Sequence, residues 1–442
     1  MRLWPTGGLW RHPDFIKLWS AETVSRFGSE ISGLALPLAA IIVLDASAFE
    51  VAALGVVEFM PFLLVSLPAG VWVDRLPRRP ILVVADVGRA ALLASIPIAY
   101  GLDALTIGQL YVVGFLVGTF TVFFDVAYQS YLPSLVERGQ LIEGNSKLEI
   151  SRSGSQIAGP GLAGLLVGWL TAPVAILADA LSFVGSALFL FRIRRQENPI
   201  QTPIEGEPRR RMRGEIAEGL RYVLTHRYLR NIAACTATFN FFGSFIGAIV
   251  LVYAVRVLDM SPVLIGLVLT FSNVGPLIGA LTANKISGRI GVGPTIISST
   301  AIAGPMFLSV PLAPHGRASI AVLAPAFAVG GLANVVYNVT QVSLRQAITP
   351  ERIQGRMNSV MRFIVWGTIP LGALLAGALA TQIGLRQTLW IGGIGCCLPF
   401  LPVLFSPVRS LRELPEPVDE EEPVLDPLLA DAAALTVQHP GT

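Results

Sequence analysis

Gly70-Val71-Trp72-Val73-Asp74-Arg75-Leu76-Pro77-Arg78-Arg79 is a short charged turn set between two runs too apolar for a water-soluble protein. Gly70 and Asp74 are four residues apart and share one helix face, where the absent side chain of Gly70 lets a neighbouring helix approach the carboxylate. Arg75, Arg78 and Arg79 crowd the rest of the turn, the charge bias of a loop held on the cytoplasmic side of a membrane.

Composition extends that reading to the whole chain. Of 442 residues, 53% are hydrophobic and only 14% charged, and the apolar runs reach the roughly 20 residues needed to cross a bilayer. Twelve spanning helices are predicted, over about 15–44, 51–73, 80–100, 106–131, 147–170, 174–192, 229–254, 262–284, 294–312, 318–343, 357–380 and 387–406. The net charge of +3 is sharply segregated along the chain. Arg2, Arg11, Arg138, Arg192, Arg194, Arg195, Lys285, Arg289, Arg345, Arg352, Arg356, Arg409 and Arg412 join the arginines of the opening turn on alternate loops and the termini. Both termini are therefore expected on the cytoplasmic side. The first ten residues lack an apolar segment followed by a small-residue cleavage site, so no removable signal is expected. Cys235, Cys396 and Cys397 lie inside apolar runs without disulfide or metal spacing, and neither a cofactor nor a metal is expected.

A repeat divides the chain. Phe27-Gly28-Ser29-Glu30-Ile31 reappears as Phe242-Gly243-Ser244-Phe245-Ile246, Asn145-Ser146 as Asn358-Ser359, and Gly164 as Gly377, at an offset near 213 residues. Two similar six-helix bundles follow from it. The expected organisation is an N-terminal bundle (1–193), a cytoplasmic linker with an amphipathic helix (194–228), a C-terminal bundle (229–406) and a disordered acidic tail (407–442). The linker carries Arg209, Arg210, Arg211 and Arg213, then Ile216, Leu220, Val223 and Leu224 at helical spacing.

The pattern G-x-x-x-D-R-x-x-R-R, with Pro77 where a glycine is usual, resembles the signature of the major facilitator superfamily of secondary transporters. Gly154, Gly159-Pro160-Gly161, Ala163-Gly164 and Gly168 in span 5 resemble the antiporter motif of its drug exporters. Phe124 to Pro133, Asp179 to Phe183 and Glu218 to Arg221 look like the branch of macrolide efflux and enterobactin exporters. The resemblance covers about residues 12–406. It implies an all-α polytopic fold and not an enzyme: a monomeric proton antiporter of the inner membrane, exporting a hydrophobic or amphipathic small molecule by alternating access. An uptake symporter, a membrane-embedded enzyme and a permease-fold receptor that moves nothing are the rival readings. No nucleic-acid partner is expected, and no phosphate-binding G-x-x-x-x-G-K-[ST] loop is present.

Polar residues inside spans are costly and face cavities or partners. Glu22, Arg26, Ser29, Glu30 and Gly33 share one face of span 1; Thr121, Asp125, Tyr128 and Gln129 one face of span 4. Thr236, Asn240 and Ser244 do so in span 7, and Asn334, Asn338, Gln341 and Arg345 in span 10. In the family these four helices line the pathway, so the resemblance makes these residues candidates for the cavity and for proton coupling. The repeat sets Asp125 against Asn338 and Thr121 against Asn334. Glu22, Arg26 and Glu30 also have the i,i+4 spacing of ordinary ion pairs. Asp86, Arg89, Lys147 and Arg152 are read as a charge network at the cytoplasmic helix ends, and Glu58 has no local partner.

Overall fold

The computed structural model describes residues 8–73, 76–136, 140–194 and 212–413. Asp74 and Arg75 lie outside the described residues, as do most of the linker and the tail from 414 onward. Among the described residues the regular structure is helical, and ten helices are long and apolar enough to cross a membrane.

The chain runs through α1 (Pro13–Leu38), α2 (Ala48–Leu64), α3 (Ser66–Val73), α4 (Arg78–Gly101), α5 (Ile107–Leu135), α6 (Leu141–Trp169) and α7 (Ala172–Phe191). After the linker helix α8 (Met212–Thr225) come α9 (Leu229–Arg256), α10 (Pro262–Ser272), α11 (Val274–Ile290), α12 (Val292–Met306) and α13 (Ser309–Leu312). The chain ends through α14 (Ala318–Ala347), α15 (Glu351–Ile383), α16 (Leu385–Cys396) and α17 (Phe400–Leu404). The twelve expected spans are these helices, four of them divided. Proline explains the divisions, because it lacks the N–H that bonds the carbonyl four residues back. Pro68 leaves Leu64 without that partner at the α2/α3 break, and Pro276 leaves Ser272 so at the α10/α11 break. The second span and α6 are the two expected spans not among the ten.

Turns at the end of the bundle away from the chain termini use local chemistry. Asp45, Asp103 and Asp259 adopt positive φ of 47°, 54° and 52°, a conformation that aspartate tolerates better than most residues. Ser47 and Glu50 form a reciprocal capping box that starts α2.

Packing sorts these helices into two bundles. In the first, α1 packs on α6 and α7, and α4 on α5 and α7; in the second, α15 packs on α9, and α14 on α10, α11 and α12. The main contacts between the halves are α6 with α10, and α2 with α15 and α9. Gly164 and Gly266 meet at the first seam, where a Cβ on Gly164 would lie 3.0 Å from the Cα of Gly266. Gly377, the repeat counterpart of Gly164, occupies the second seam, where its Cβ would come within 2.9 Å of Ala52 Cβ.

The apolar cores show how the halves sit. One cluster runs through both halves at the end away from the termini, from Ile31, Leu38 and Ala163 to Ile249, Ile265 and Leu389. At the terminal end each half has its own: Phe15, Leu82 and Leu132 in one, Ile232, Leu344 and Met357 in the other. The halves are therefore joined at one end and separately packed at the other.

One expected boundary shifts. The tail was expected to be disordered from 407, yet residues 407–413 dock on the start of α12, where Gly293 N–H donates to Leu411 O at 2.8 Å. The amphipathic linker helix is present as α8, which buries Val223 and lays Gly219 against Arg356 and Val360 of α15.

Candidate functional site

Inside the first half, α1, α2, α4, α5 and α7 enclose a cavity of about 220 Å³. Four carboxylates (Glu22, Glu58, Asp125, Asp179) and two guanidinium groups (Arg26, Arg89) line it, with Ser25, Ser29, Ser32 and Thr121 between them. So much charge within one bundle persists only if the groups satisfy one another.

Most of them do. Arg26 Nε donates to Glu22 Oε1 at 2.6 Å, and its Nη2 lies 3.9 Å from Asp125 Oδ1, so the guanidinium bridges α1 and α5. Arg89 pairs with Asp86 on its own helix and reaches Thr121 Oγ1 at 3.5 Å. Its guanidinium is also held between the rings of Phe183 and Phe124, 4.1 and 4.4 Å from their centroids, where cation–π attraction replaces part of its lost hydration. Asp179 accepts from Ser182 Oγ at 3.0 Å, beside Gly28, whose missing Cβ makes the space for both side chains.

A second cavity, of about 360 Å³, lies between the halves. Its walls come from α1, α2, α9 and α15, are mostly apolar, and include Pro37, Phe59, Ser244, Leu251 and Pro370. Gly33 and Glu58 line both cavities.

The sequence-derived candidates divide between these places. Glu22, Arg26 and Asp125 meet as described, and Tyr128 stacks on Phe124 with centroids 5.9 Å apart. Glu30 turns instead toward α6, where a Cβ on Gly159 would overlap its side chain. Pro160 and Gly164 sit at the α6/α10 seam, while nothing lies within 4 Å of a Cβ built on Gly154. Asn240 donates to Val365 O at 3.0 Å and so ties α9 to α15. In α14, Asn338, Gln341 and Arg345 form a ladder of hydrogen bonds, continued from Arg345 to Asn358 at 2.9 Å, and Asn334 is half-buried one turn earlier. The polar faces of α5 and α14 thus belong to different bundles. Gly70 lies in α3, Arg78 opens α4, and Arg79 Nε bonds Leu190 O at 3.1 Å, fastening α4 to the end of α7. Gln129 lies on α5, but its side chain is outside the described residues.

Two differences from the sequence reading stand out. Asp86 and Arg89 were expected in a charge network at the helix ends; both are instead buried inside the bundle, because they lie two to three turns into α4 on a helix packed against α5 and α7. Glu58 was left without a role and proves to stand between the two cavities. The available signal was a lone acid in an otherwise apolar span.

A family model described as "Transmembrane secretion effector" matches residues 8–434. The chain is 26% identical to the multidrug efflux pump Tap of Mycolicibacterium fortuitum, over 91% of this chain and 97% of that one. It is 24% identical to macrolide efflux protein A of Streptococcus pyogenes, over 90% and 97%. Among solved structures it resembles a bacterial homologue of the iron transporter ferroportin in an inward-facing state, with TM-score 0.72 and 16% identity, covering 91% of this chain and all of that one. It also resembles a bacterial homologue of the lysosomal transporter Spinster, with TM-score 0.67 and 14% identity over 90% and 97% of the two chains.

Proposed function

The chain belongs to the transmembrane secretion effector family, within the efflux branch of the major facilitator superfamily, and from that premise we propose that it exports amphipathic drug-like molecules in exchange for protons. The observation that carries the reading is the charged cavity of the first half, where Arg26 is shared between Glu22 and Asp125. A guanidinium held between two acids on different helices responds to a proton placed on either acid. Neutralising Asp125 frees Arg26 from α5, and the contact between α1 and α5 weakens. The closed α6/α10 and α2/α15 seams, with separate cores at the other end, are one arrangement of an alternating-access cycle; the second would close the terminal end.

The basic residues clustered at the terminal end support placing that end in the cytoplasm, which makes this arrangement inward-open. The two bundles, residues 1–193 and 229–406, would then rock as units joined by the 194–228 linker, in a single chain acting as a monomer. Gly70, Asp74, Arg75, Arg78 and Arg79 would latch the cytoplasmic side, and the α6 glycines around Pro160 would form the sliding seam.

The test is transport in sealed vesicles with an imposed proton gradient. Outward movement of a fluorescent drug is expected only with a gradient directed opposite to it, and Asp125→Asn should keep the protein abundant while removing the gradient's effect. Accumulation driven by a gradient in the same direction as the drug establishes the uptake reading instead; ligand binding without movement establishes a receptor.

A further inference from the structure

Glu58 differs from every other acid in the first-half cavity. Its Oε1 is buried and accepts no hydrogen bond, and no ion pair reaches it among the described residues. Its helix is pressed against α5 at this point: a Cβ on Gly114 would lie 2.9 Å from Glu58 Cγ, and one on Gly118 would lie 2.7 Å from its carbonyl oxygen. Gly118 therefore makes room for the backbone of α2, and Gly114 for a side chain whose buried Oε1 receives no hydrogen bond in return. A buried acid retained for packing alone is ordinarily paired or bonded, because an unmatched polar group is costly in low dielectric.

The place it occupies explains what the missing partner is. Glu58 lines both the polar cavity and the apolar chamber between the halves. Pro37, Phe59, Leu251 and Pro370 line the same chamber, and the ring centroid of Phe59 lies 6.1 Å from that of Trp366 across the seam. A ligand with an apolar body in the chamber would set one polar group against Glu58. We infer that Glu58 is the anchor for a single positive charge on the transported molecule, which makes the preferred substrates amphipathic monocations. This rests on the transport reading above and names its substrate class. A metal ion is a poor fit, since a hard cation requires several oxygen ligands and no group of three or more His, Cys, Asp or Glu side chains converges on one point among the described residues.

The experiment compares two probes of nearly one shape: ethidium, a fixed cation, and its neutral reduced form hydroethidium. Binding is measured by fluorescence on the full-length protein in lipid nanodiscs. The wild type should prefer ethidium at least tenfold; Glu58→Gln should weaken ethidium at least tenfold and leave hydroethidium within twofold. If Glu58→Gln is not monodisperse, Gly114→Ala, which pushes the carboxylate aside, should give the same selective loss. A wild type without preference for the cation overturns the inference, as does a variant that loses both probes equally or neither. Vesicle export of ethidium by the same preparations separates the two readings. Charge-selective binding without export removes the transport reading and leaves the site; export with selectivity unchanged in Glu58→Gln removes the site and leaves transport.

Discussion

The interiors of the two halves occupy equivalent places in the repeat and are built from opposite chemistry. In the first, Glu22, Arg26, Asp86 and Arg89 form ion pairs around a cavity. In the second, Thr236 and Tyr337 share a buried hydrogen bond, and Asn338, Gln341 and Arg345 continue as a ladder along α14. Asn338 stands where Asp125 stands in the first half. One six-helix scaffold thus accepts either filling, and the charge of the first half is not required by the fold. Groups that the fold does not need, held at the cost of desolvation, are where function is expected.

The sharpest way to break that contrast is to remove one buried polar group from each interior. Arg89→Met leaves Asp86 buried and unpaired, and should destabilise the protein by about 3–5 kcal/mol. Tyr337→Phe removes one neutral bond from the other half and should cost about 1 kcal/mol. Thermal unfolding in detergent reads both. Equal losses would mean that the Asp86–Arg89 pair contributes no more than a neutral bond. The double variant with Asp86→Asn should recover part of the first loss.

The seams offer a test where the halves are alike. Gly164→Ala drives a methyl into the backbone of α10, and Gly377→Ala drives one against Ala52. Each should raise the energy of the closed seam by about 1–3 kcal/mol, the usual cost of overpacking. Spin labels placed on the α6 and α10 ends should report wider distances in the Gly164 variant. The Gly377 variant should shift less, since the nearest atom to its new methyl would be 2.9 Å away, against 2.5 Å at Gly164. Unchanged distances in both would mean that these glycines do not set the approach of the halves.

Asp125 and Asn338 can be exchanged in kind. Asp125→Asn makes the first half resemble the second and should lower gradient-driven transport by about tenfold, equivalent to about 1.4 kcal/mol, with a flat pH profile. Asn338→Asp places the acid where no Arg26 faces it, and restores no pH dependence when combined with the first change. Recovery of coupling by that double variant would show that the position, and not its arginine neighbour, carries the proton.

What the sequence made legible follows from what a single helix can show. Apolar length placed the spans within a few residues, and the offset of about 213 residues paired Gly164 with Gly377 before either was seen at a seam. The i,i+4 spacing of Glu22 and Arg26 was readable, because both lie on one helix. The reach of Arg26 to Asp125, the ring sandwich around Arg89 and the exposure of Glu58 to two cavities were not, since helical periodicity says which face a residue occupies and not what stands opposite. The charged turn that identified the fold contributes least to the described site, as Asp74 and Arg75 lie outside the described residues.

The smallest expected effect concerns a device that both halves carry. Each opens on a histidine whose Nδ1 accepts backbone N–H groups at the start of its first helix: His12 from Phe15 at 3.1 Å, and His226 from Tyr228 at 3.3 Å and Leu229 at 3.5 Å. Only an unprotonated Nδ1 can accept, so the cap exists only in the neutral ring. Burial, aided by the adjacent Arg227, holds the pKa of His226 below its ordinary value. A group whose folded pKa is depressed contributes its full stability above the unfolded value, near 6.5, and loses it as the pH falls through the folded value. Acidification below about pH 6.5 should therefore loosen the start of α9, by less than about 1 kcal/mol for a partly exposed cap. Hydrogen exchange at Tyr228 and Leu229, compared at neutral and acidic pH, reads this locally. His226→Asn keeps an acceptor that does not titrate and should abolish the pH dependence while retaining protection; His226→Ala should lose protection at both. If His226→Asn still opens on acidification, the response originates outside this cap, and the two histidines are alike only in position.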